Sequence, residues 1–226
     1  MTFTTLFRTW VTVLVAMLAA ILLTTAAFAT GAGAQPPCSG KVVLDPGHGG
    51  TDSGAVNTKY RLTEKEQTLD VAKRLEALLE EDGCTVYMTR TSNSQTLSNN
   101  DRYTYANTTG ARVLISIHMN GSTSPSTDYT TTLFGKWRKD KKLANTVLGS
   151  LSALPAANGT GTIATRTPYS FASGVLLKSD MPATIAETVF ITSDREGQLL
   201  SNGTGARQQQ IAQALWVGIE NYLTTH

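Results

Sequence analysis

Beyond residue 40 the chain alternates short apolar runs with stretches of helical periodicity, and this alternation restricts the possible folds more than any single residue does. Lys41-Val42-Val43-Leu44-Asp45 reads as a strand, ended by the turn chemistry of Pro46-Gly47-His48-Gly49-Gly50. Leu69, Ala72, Leu75, Leu78 and Leu79 then recur at helical spacing. They follow Thr63-Glu64-Lys65-Glu66, which has the form of a capping box, and Gly83 stops the helix. Cys84 to Arg90 is a predicted strand, Arg102 to Thr109 a helix, Val113 to Ile117 a buried strand, and Asn120-Gly121 a turn. The Thr- and Tyr-rich segment Asp128 to Phe134 suits an exposed strand. Lys136 to Leu154 is expected to be helix ended by Pro155, and Ala156 to Ser173 a loop without periodicity. Gly174 to Leu177 and Ala183 to Val189 are predicted strands around the Met181-Pro182 turn. A terminal helix, Arg207 to Leu223, carries Ile211, Leu215, Ile219 and Tyr222 on one face. Strands alternating with helices imply an α/β fold: a single layered domain with a mostly parallel twisted sheet flanked by helices.

Composition narrows the function classes. Lys and Arg total 19 against 17 Asp and Glu, a formal charge of +2 over 226 residues. That excludes a strongly basic nucleic-acid binder and an acidic solvating chain. A hydrophobic fraction of 41% with 16% charged is globular composition. The N-terminus stands apart. Arg8 precedes an uncharged apolar run from Trp10 to Ala29, and small residues follow at Ala27-Phe28-Ala29 and Ala32-Gly33-Ala34. Residues 1–34 therefore read as a secretory signal, cleaved after Ala29 or Ala34, and 35–226 as the folded domain. The run is also long enough to cross a bilayer, which leaves an uncleaved anchor as the alternative. Both readings put the rest of the chain outside the cytoplasm. The two cysteines, Cys38 and Cys84, each lie at or just before a predicted strand. A disulfide is expected if those strands are neighbours, and two separate buried thiols otherwise.

Ligands in open α/β sheets bind beyond the carboxyl ends of the strands, and four polar residues fall near such ends. His48 follows the first strand, Glu64 opens the first helix, His118 ends the strand Leu114 to Ile117, and Glu187 interrupts the apolar run Thr184 to Phe190. Two His and one Glu make an open zinc site with a fourth position for water, and a further Glu can serve as general base. Each residue also has a plainer reading. His48 fills a Gly-rich turn, Glu64 complements a helix dipole, and His118 is a satisfied core histidine. For Glu187 the plain reading is harder, because an ionised carboxylate among Ile, Ala, Val and Phe is costly unless paired or functional. No short ligand spacing such as His-Glu-x-x-His is present, and spacing alone leaves these alternatives open.

Four segments carry a resemblance: Val42 to Gly50, Thr63 to Glu66, Ile115-Ser116-Ile117-His118-Met119-Asn120, and Met181 to Phe190. Their order and spacing resemble the zinc-dependent N-acetylmuramoyl-L-alanine amidases of the amidase-3 type, from about Lys41 to Leu223. The resemblance implies one zinc per chain held by His48, Glu64 and His118, with Glu187 as the catalytic carboxylate. It makes Arg102, in Asp101-Arg102 followed by Ala106-Asn107, a structural arginine. It further implies a secreted enzyme acting on the muramoyl–L-alanine amide of peptidoglycan. The expected partners are peptidoglycan alone, with no nucleic acid and no membrane contact once the signal is removed, and a monomer is expected although the sequence does not fix the oligomeric state. Another zinc amide hydrolase of the wall, such as a peptidase, and a non-catalytic wall-binding module on the same fold are the competing expectations. Two departures stand out. Phe190-Ile191 is followed by Thr192-Ser193 where the family usually has Ser-Asn, and the stretch from Gly121 to Ser173 matches poorly.

Overall fold

Three strands whose successive side chains are buried on both sides set the architecture. In the computed structural model, which describes Cys38 and residues 40–226, these are β1 (Lys41–Pro46), β5 (Val113–Asn120) and β8 (Ala183–Phe190). They run parallel, in register from Val42↔Val113 to Pro46↔Ile117 and from Leu114↔Ala183 to His118↔Glu187. β4 (Thr85–Met88) extends the sheet in parallel beyond β1. On the far side β6 (Thr131–Phe134) runs antiparallel to β8, and the two-residue β7 (Tyr169–Ser170) closes that edge. The strand order is β4-β1-β5-β8-β6-β7. A separate hairpin, β2 (Val56–Asn57) with β3 (Leu62–Thr63), lies between β1 and the first helix in sequence. The mostly parallel α/β sheet is as expected.

One face of this sheet is covered by α1 (Glu64–Glu81), α3 (Trp137–Leu151) and α6 (Ala206–Thr225). Val42, Leu44, Val113, Ile115 and Ile117 meet Leu75, Leu79, Val147, Ile211 and Leu215 there in one apolar core. The intervening residues point the other way, as the two-residue period of a strand requires. Val43, Leu114 and Ile185 pack with Leu176 and Ala106 under the shorter helices α2 (Asn99–Thr109) and α4 (Gly174–Lys178). α5 (Asp194–Leu200) precedes α6. Because β1 and β4 are parallel neighbours with Lys41 opposite Thr85, the cysteines just before them are adjacent. Cys38 and Cys84 are joined, with their Cα atoms 5.0 Å apart.

Four expectations are corrected. Gly174 to Leu177 is the helix α4 rather than a strand, with neighbouring Val175 and Leu176 both buried; a short apolar run does not distinguish the two by periodicity. The segment Thr131–Phe134 is buried throughout rather than exposed. Thr132 within it and Thr130 just before it reach backbone acceptors, Thr132 Oγ1 donating to Ala144 O at 2.9 Å and Thr130 Oγ1 to Glu187 O at 3.2 Å. Thr63 forms no side-chain cap on α1, since its hydroxyl donates to Glu66 at 2.7 Å instead. The full capping box is at Ser98 and Asp101, which starts α2 three residues earlier than expected. Among the described residues no helix is long and apolar enough to cross a membrane. The signal segment expected at 1–34 lies outside the described residues.

Candidate metal and catalytic site

β1 ends at Pro46, and the chain then turns through His48 with φ +61°, Gly49 at +134° and Gly50 at +58°. A non-glycine residue in the left-handed region is strained and persists only where its surroundings hold it. Two buried arginines supply that hold. Arg90 donates to the carbonyls of Pro46 at 2.9 Å and Gly47 at 2.8 Å. Arg102 donates to those of Pro46 at 2.9 Å and His48 at 2.8 Å. Asp45 anchors Arg102 at 2.7 Å and accepts from Thr89 and Ser116. Burial alone would raise the Asp45 pKa, but the Arg102 charge and these hydrogen bonds bring it below its ordinary value. Burial, reinforced by the charge of Arg102, lowers Arg90 to about 10. Gly47 is needed for space: a Cβ there would come 2.3 Å from the His118 ring.

Glu64, the first residue of α1, is 3% exposed and sits between the two histidines. His48 Nε2 lies 3.1 Å from Oε2, and His118 Nδ1 lies 3.0 Å from Oε1. Backbone N–H groups fix both oxygens, Ala55 donating to Oε2 at 2.8 Å and Met119 to Oε1 at 2.9 Å. Burial would raise the Glu64 pKa, yet hydrogen bonds and charge from His118 and His48 hold it well below the carboxylate range. Burial likewise opposes protonation of His48, and Glu64 and Asp52 outweigh it, raising that imidazole to about 8.

The donor chemistry fits a zinc ion. Each carboxylate oxygen has two lone pairs, one taken by a backbone N–H and one facing an imidazole nitrogen. One atom each from His48, Glu64 and His118 lie within 4.8 Å of one another, a group able to hold a metal. Asp52 escaped the sequence reading. It accepts from His48 Nδ1 at 2.8 Å, which leaves the Nε2 lone pair facing the cluster and fixes the tautomer a metal ligand needs. The only signal for it was an acid four residues after His48, inside the turn closed by Gly49 N donating to Asp52 O at 2.9 Å.

Glu187 is opposite His118 in the β5–β8 register, so both side chains stand on the same face of the sheet. Burial raises the Glu187 pKa and Glu64 adds to it, while His118 and His48 pull it down; the net direction is upward. A carboxyl with its proton affinity raised beside a cluster able to hold a metal is suited to take and return a proton. The site residues expected from sequence thus stand together at the carboxyl ends of β1, β5 and β8. A pocket of about 120 Å³ adjoins them, lined in part by Asp52, Asn99, Ser173 and Ile185.

Residues 42–221 match the family described as N-acetylmuramoyl-L-alanine amidase, amidase-3. The probable cell wall amidase LytH of Staphylococcus aureus is 31% identical over 191 residues, 83% of this chain. The chain spans 60% of the length of that relative. Among solved structures, the N-acetylmuramoyl-L-alanine amidase AmiC2 of Nostoc punctiforme superposes with a TM-score of 0.71 at 30% identity, covering 81% of this chain and 97% of that one. The N-acetylmuramoyl-L-alanine amidase of Clostridium difficile 630 gives 0.73 at 31% identity, covering 82% and 97%.

Proposed function

Since the chain belongs to the N-acetylmuramoyl-L-alanine amidase family, we propose that it is an exported zinc hydrolase cutting the amide between N-acetylmuramic acid and L-alanine in peptidoglycan. The observation that carries this reading is the meeting of His48, Glu64 and His118 on one buried carboxylate, with Glu187 on the next strand. His48, Glu64 and His118 would hold the zinc, which when bound would polarise the amide carbonyl and acidify water. Asp52 and the two backbone donors to Glu64 orient the ligands, so the site requires little rearrangement. Glu187 takes the proton of the attacking water on its carboxylate and then gives it to the departing L-alanine nitrogen. The second transfer matters because an amine anion is a poor leaving group. One carboxyl with a raised pKa serves both steps.

The joined cysteines support export, since disulfides persist in oxidising compartments. In this reading residues 1–34 are the leader and the protein meets its substrate outside the membrane. The test is mass analysis of products from purified peptidoglycan, with bound zinc measured on the same sample. Cleavage at the lactyl amide, releasing stem peptides with a free L-alanine amine, is the expected result. Cuts between amino acids would make it a wall peptidase, and no cleavage by a zinc-loaded protein would make it a binding module.

A further inference from the structure

The face of the sheet that carries His118 and Glu187 continues past Glu187, and it ends in a cation with no acid to neutralise it. Thr131 on β6 is opposite Glu187, so Tyr129, two residues earlier, stands on the same face. Thr130 bridges Thr165 in parallel, with Thr130 N donating to Ala164 O at 2.8 Å and Arg166 N to Thr130 O at 3.0 Å. Arg166, next to Thr165, therefore shares the face of Tyr129 and Glu187. Tyr169 is opposite Leu133, which is again on that face. The guanidinium of Arg166 lies 3.9 Å from the centre of the Tyr129 ring, and that ring packs on Phe190 at 4.5 Å. Arg166 is exposed and forms no ion pair among the described residues. After burial, the charge of Glu187 is the next cause of the raised phenol pKa of Tyr169, so the two groups are near neighbours.

We propose that Arg166, seated on Tyr129 beside Tyr169, recognises a carboxylate on the peptide half of the substrate, one residue beyond the scissile L-alanine. This rests on the amidase reading, because the direction comes from the chemistry. His48 follows β1, Glu64 opens α1 and His118 is on β5, with Glu187 on the next strand, β8, and Arg166 beyond β6. Glu187 protonates the leaving nitrogen, so the peptide half departs on the side of Glu187 away from the cluster, which is where Arg166 stands. The distance agrees. Arg166 is two strand spacings from Glu187, about 10 Å, and its guanidinium folds back over Tyr129, which is one strand across and two residues along from Glu187, about 8 Å away. An extended peptide advances about 3.5 Å per residue, which brings the second residue within reach. A planar guanidinium already stacked on a ring has less freedom to lose when it forms two parallel hydrogen bonds to a carboxylate. The loop from 156 to 173, part of the stretch from Gly121 to Ser173 that matches the family poorly, thereby acquires a role in substrate choice.

The test uses two muramoyl peptides that differ only at the second residue, one with a free α-carboxylate and one with the corresponding carboxamide. kcat and KM are measured for the zinc-loaded wild type, Arg166→Gln and Arg166→Lys. The wild type should prefer the acid by roughly 10- to 100-fold in kcat/KM, mostly through KM, as for a charge-assisted pair. Arg166→Gln should bring the ratio close to one, and Arg166→Lys should leave it in between, since lysine keeps the charge and loses the fork. A wild type with no preference, or an Arg166→Gln protein that keeps the wild-type ratio, would overturn the subsite alone. A folded, zinc-loaded wild type that releases L-alanine amine from neither peptide would overturn the amidase reading, and the subsite with it.

Discussion

One face of the central sheet is free of charge along its strands, and the other is apolar for only half its length. Under α1, α3 and α6 the strands present Val42, Leu44, Val113, Ile115, Ile117 and Met119 without a charge among them. On the opposite face Val43, Leu114 and Ile185 give way, toward the carboxyl ends, to Asp45, Ser116, His118 and Glu187. The change coincides with the helices: α2 has 11 residues and α4 only 5, against 18, 15 and 20 for those on the other side. Short cover leaves the strand ends open, and open strand ends can hold charged groups in reach of a substrate. Ile117 and His118 are neighbours in sequence with opposite duties, because a strand turns each successive side chain to the other face. In this molecule stability and chemistry are separated by one residue of register.

Substitutions in the ligand and base positions test that separation most severely. Glu64→Ala removes the carboxylate that both imidazoles face, so bound zinc should fall from near one per chain to background, and activity with it. Glu187→Gln keeps the shape of the side chain and leaves the cluster intact. Zinc should remain near one per chain while turnover falls about 10²- to 10⁴-fold, the typical loss of a general base. Its melting temperature should not fall, since burial already disfavours the charge of Glu187. Zinc content, melting temperature and L-alanine amine release on both variants decide the matter. A folded Glu187→Gln protein with near-normal turnover would remove Glu187 from the mechanism, and full zinc in Glu64→Ala would remove Glu64 from the ligands.

The bridge between Cys38 and Cys84 ties the start of β1 to the start of β4 at the end of the sheet away from the site. Reduction should lower stability by about 4 kcal/mol on the chain-entropy account for a separation of 46 residues. Hydrolysis per folded molecule should be unaffected. Denaturant midpoints with and without reductant measure the first, and initial rates under native conditions the second. On the apolar face Leu75→Ala, at a fully buried position of α1, should cost about 3 kcal/mol through lost contacts and a cavity. Zinc content should stay at the wild-type level. Loss of zinc in Leu75→Ala at temperatures where the protein is folded would show that the two faces are coupled through α1, which also carries Glu64.

Sequence pattern reached the chemistry of the site more readily than its support. His48, His118 and Glu187 were legible because they follow, end or interrupt apolar runs, and Glu64 because it opens a helix; their proposed roles came from the family resemblance rather than from spacing. Asp52, Arg90 and the full set of contacts made by Arg102 were not. They act through backbone carbonyls and a second imidazole nitrogen brought near by folding, and no spacing rule reports such partners. Among the elements, long parallel strands and helices were legible from periodicity. The five-residue α4 and the buried β6 were misread for a common reason: neither run is long enough to show its period, and tertiary cover decides. For β6 the threonines suggested exposure, whereas their hydroxyls are satisfied by neighbouring carbonyls.

The smallest expected effect belongs to Ser116, which lies on the polar face but touches no proposed ligand. Its hydroxyl donates to Asp45 Oδ2 at 2.7 Å, one of the bonds that keep this buried carboxyl ionised against its desolvation. A carboxyl whose folded pKa is below its unfolded value contributes stability that is present above the unfolded pKa and lost as pH falls through the folded one. Ser116→Ala removes one donor, so the folded pKa of Asp45 should move up toward the ordinary value. At neutral pH the variant should be less stable by about 2 kcal/mol, the usual worth of a hydrogen bond to a charged group. Acid unfolding should begin at a higher pH in the variant. The gap between the proteins should then narrow once the carboxyl is protonated in both. Urea midpoints at pH 7 and at successively lower pH, down to acid unfolding, measure this, with zinc removed from both samples so that metal release does not contribute. A gap of equal size throughout, with no difference in the pH at which acid unfolding begins beyond that gap, would mean that Ser116 acts by filling space beneath α2 rather than through the charge on Asp45. The polar half of that face would then be supported by packing, like the apolar face behind it.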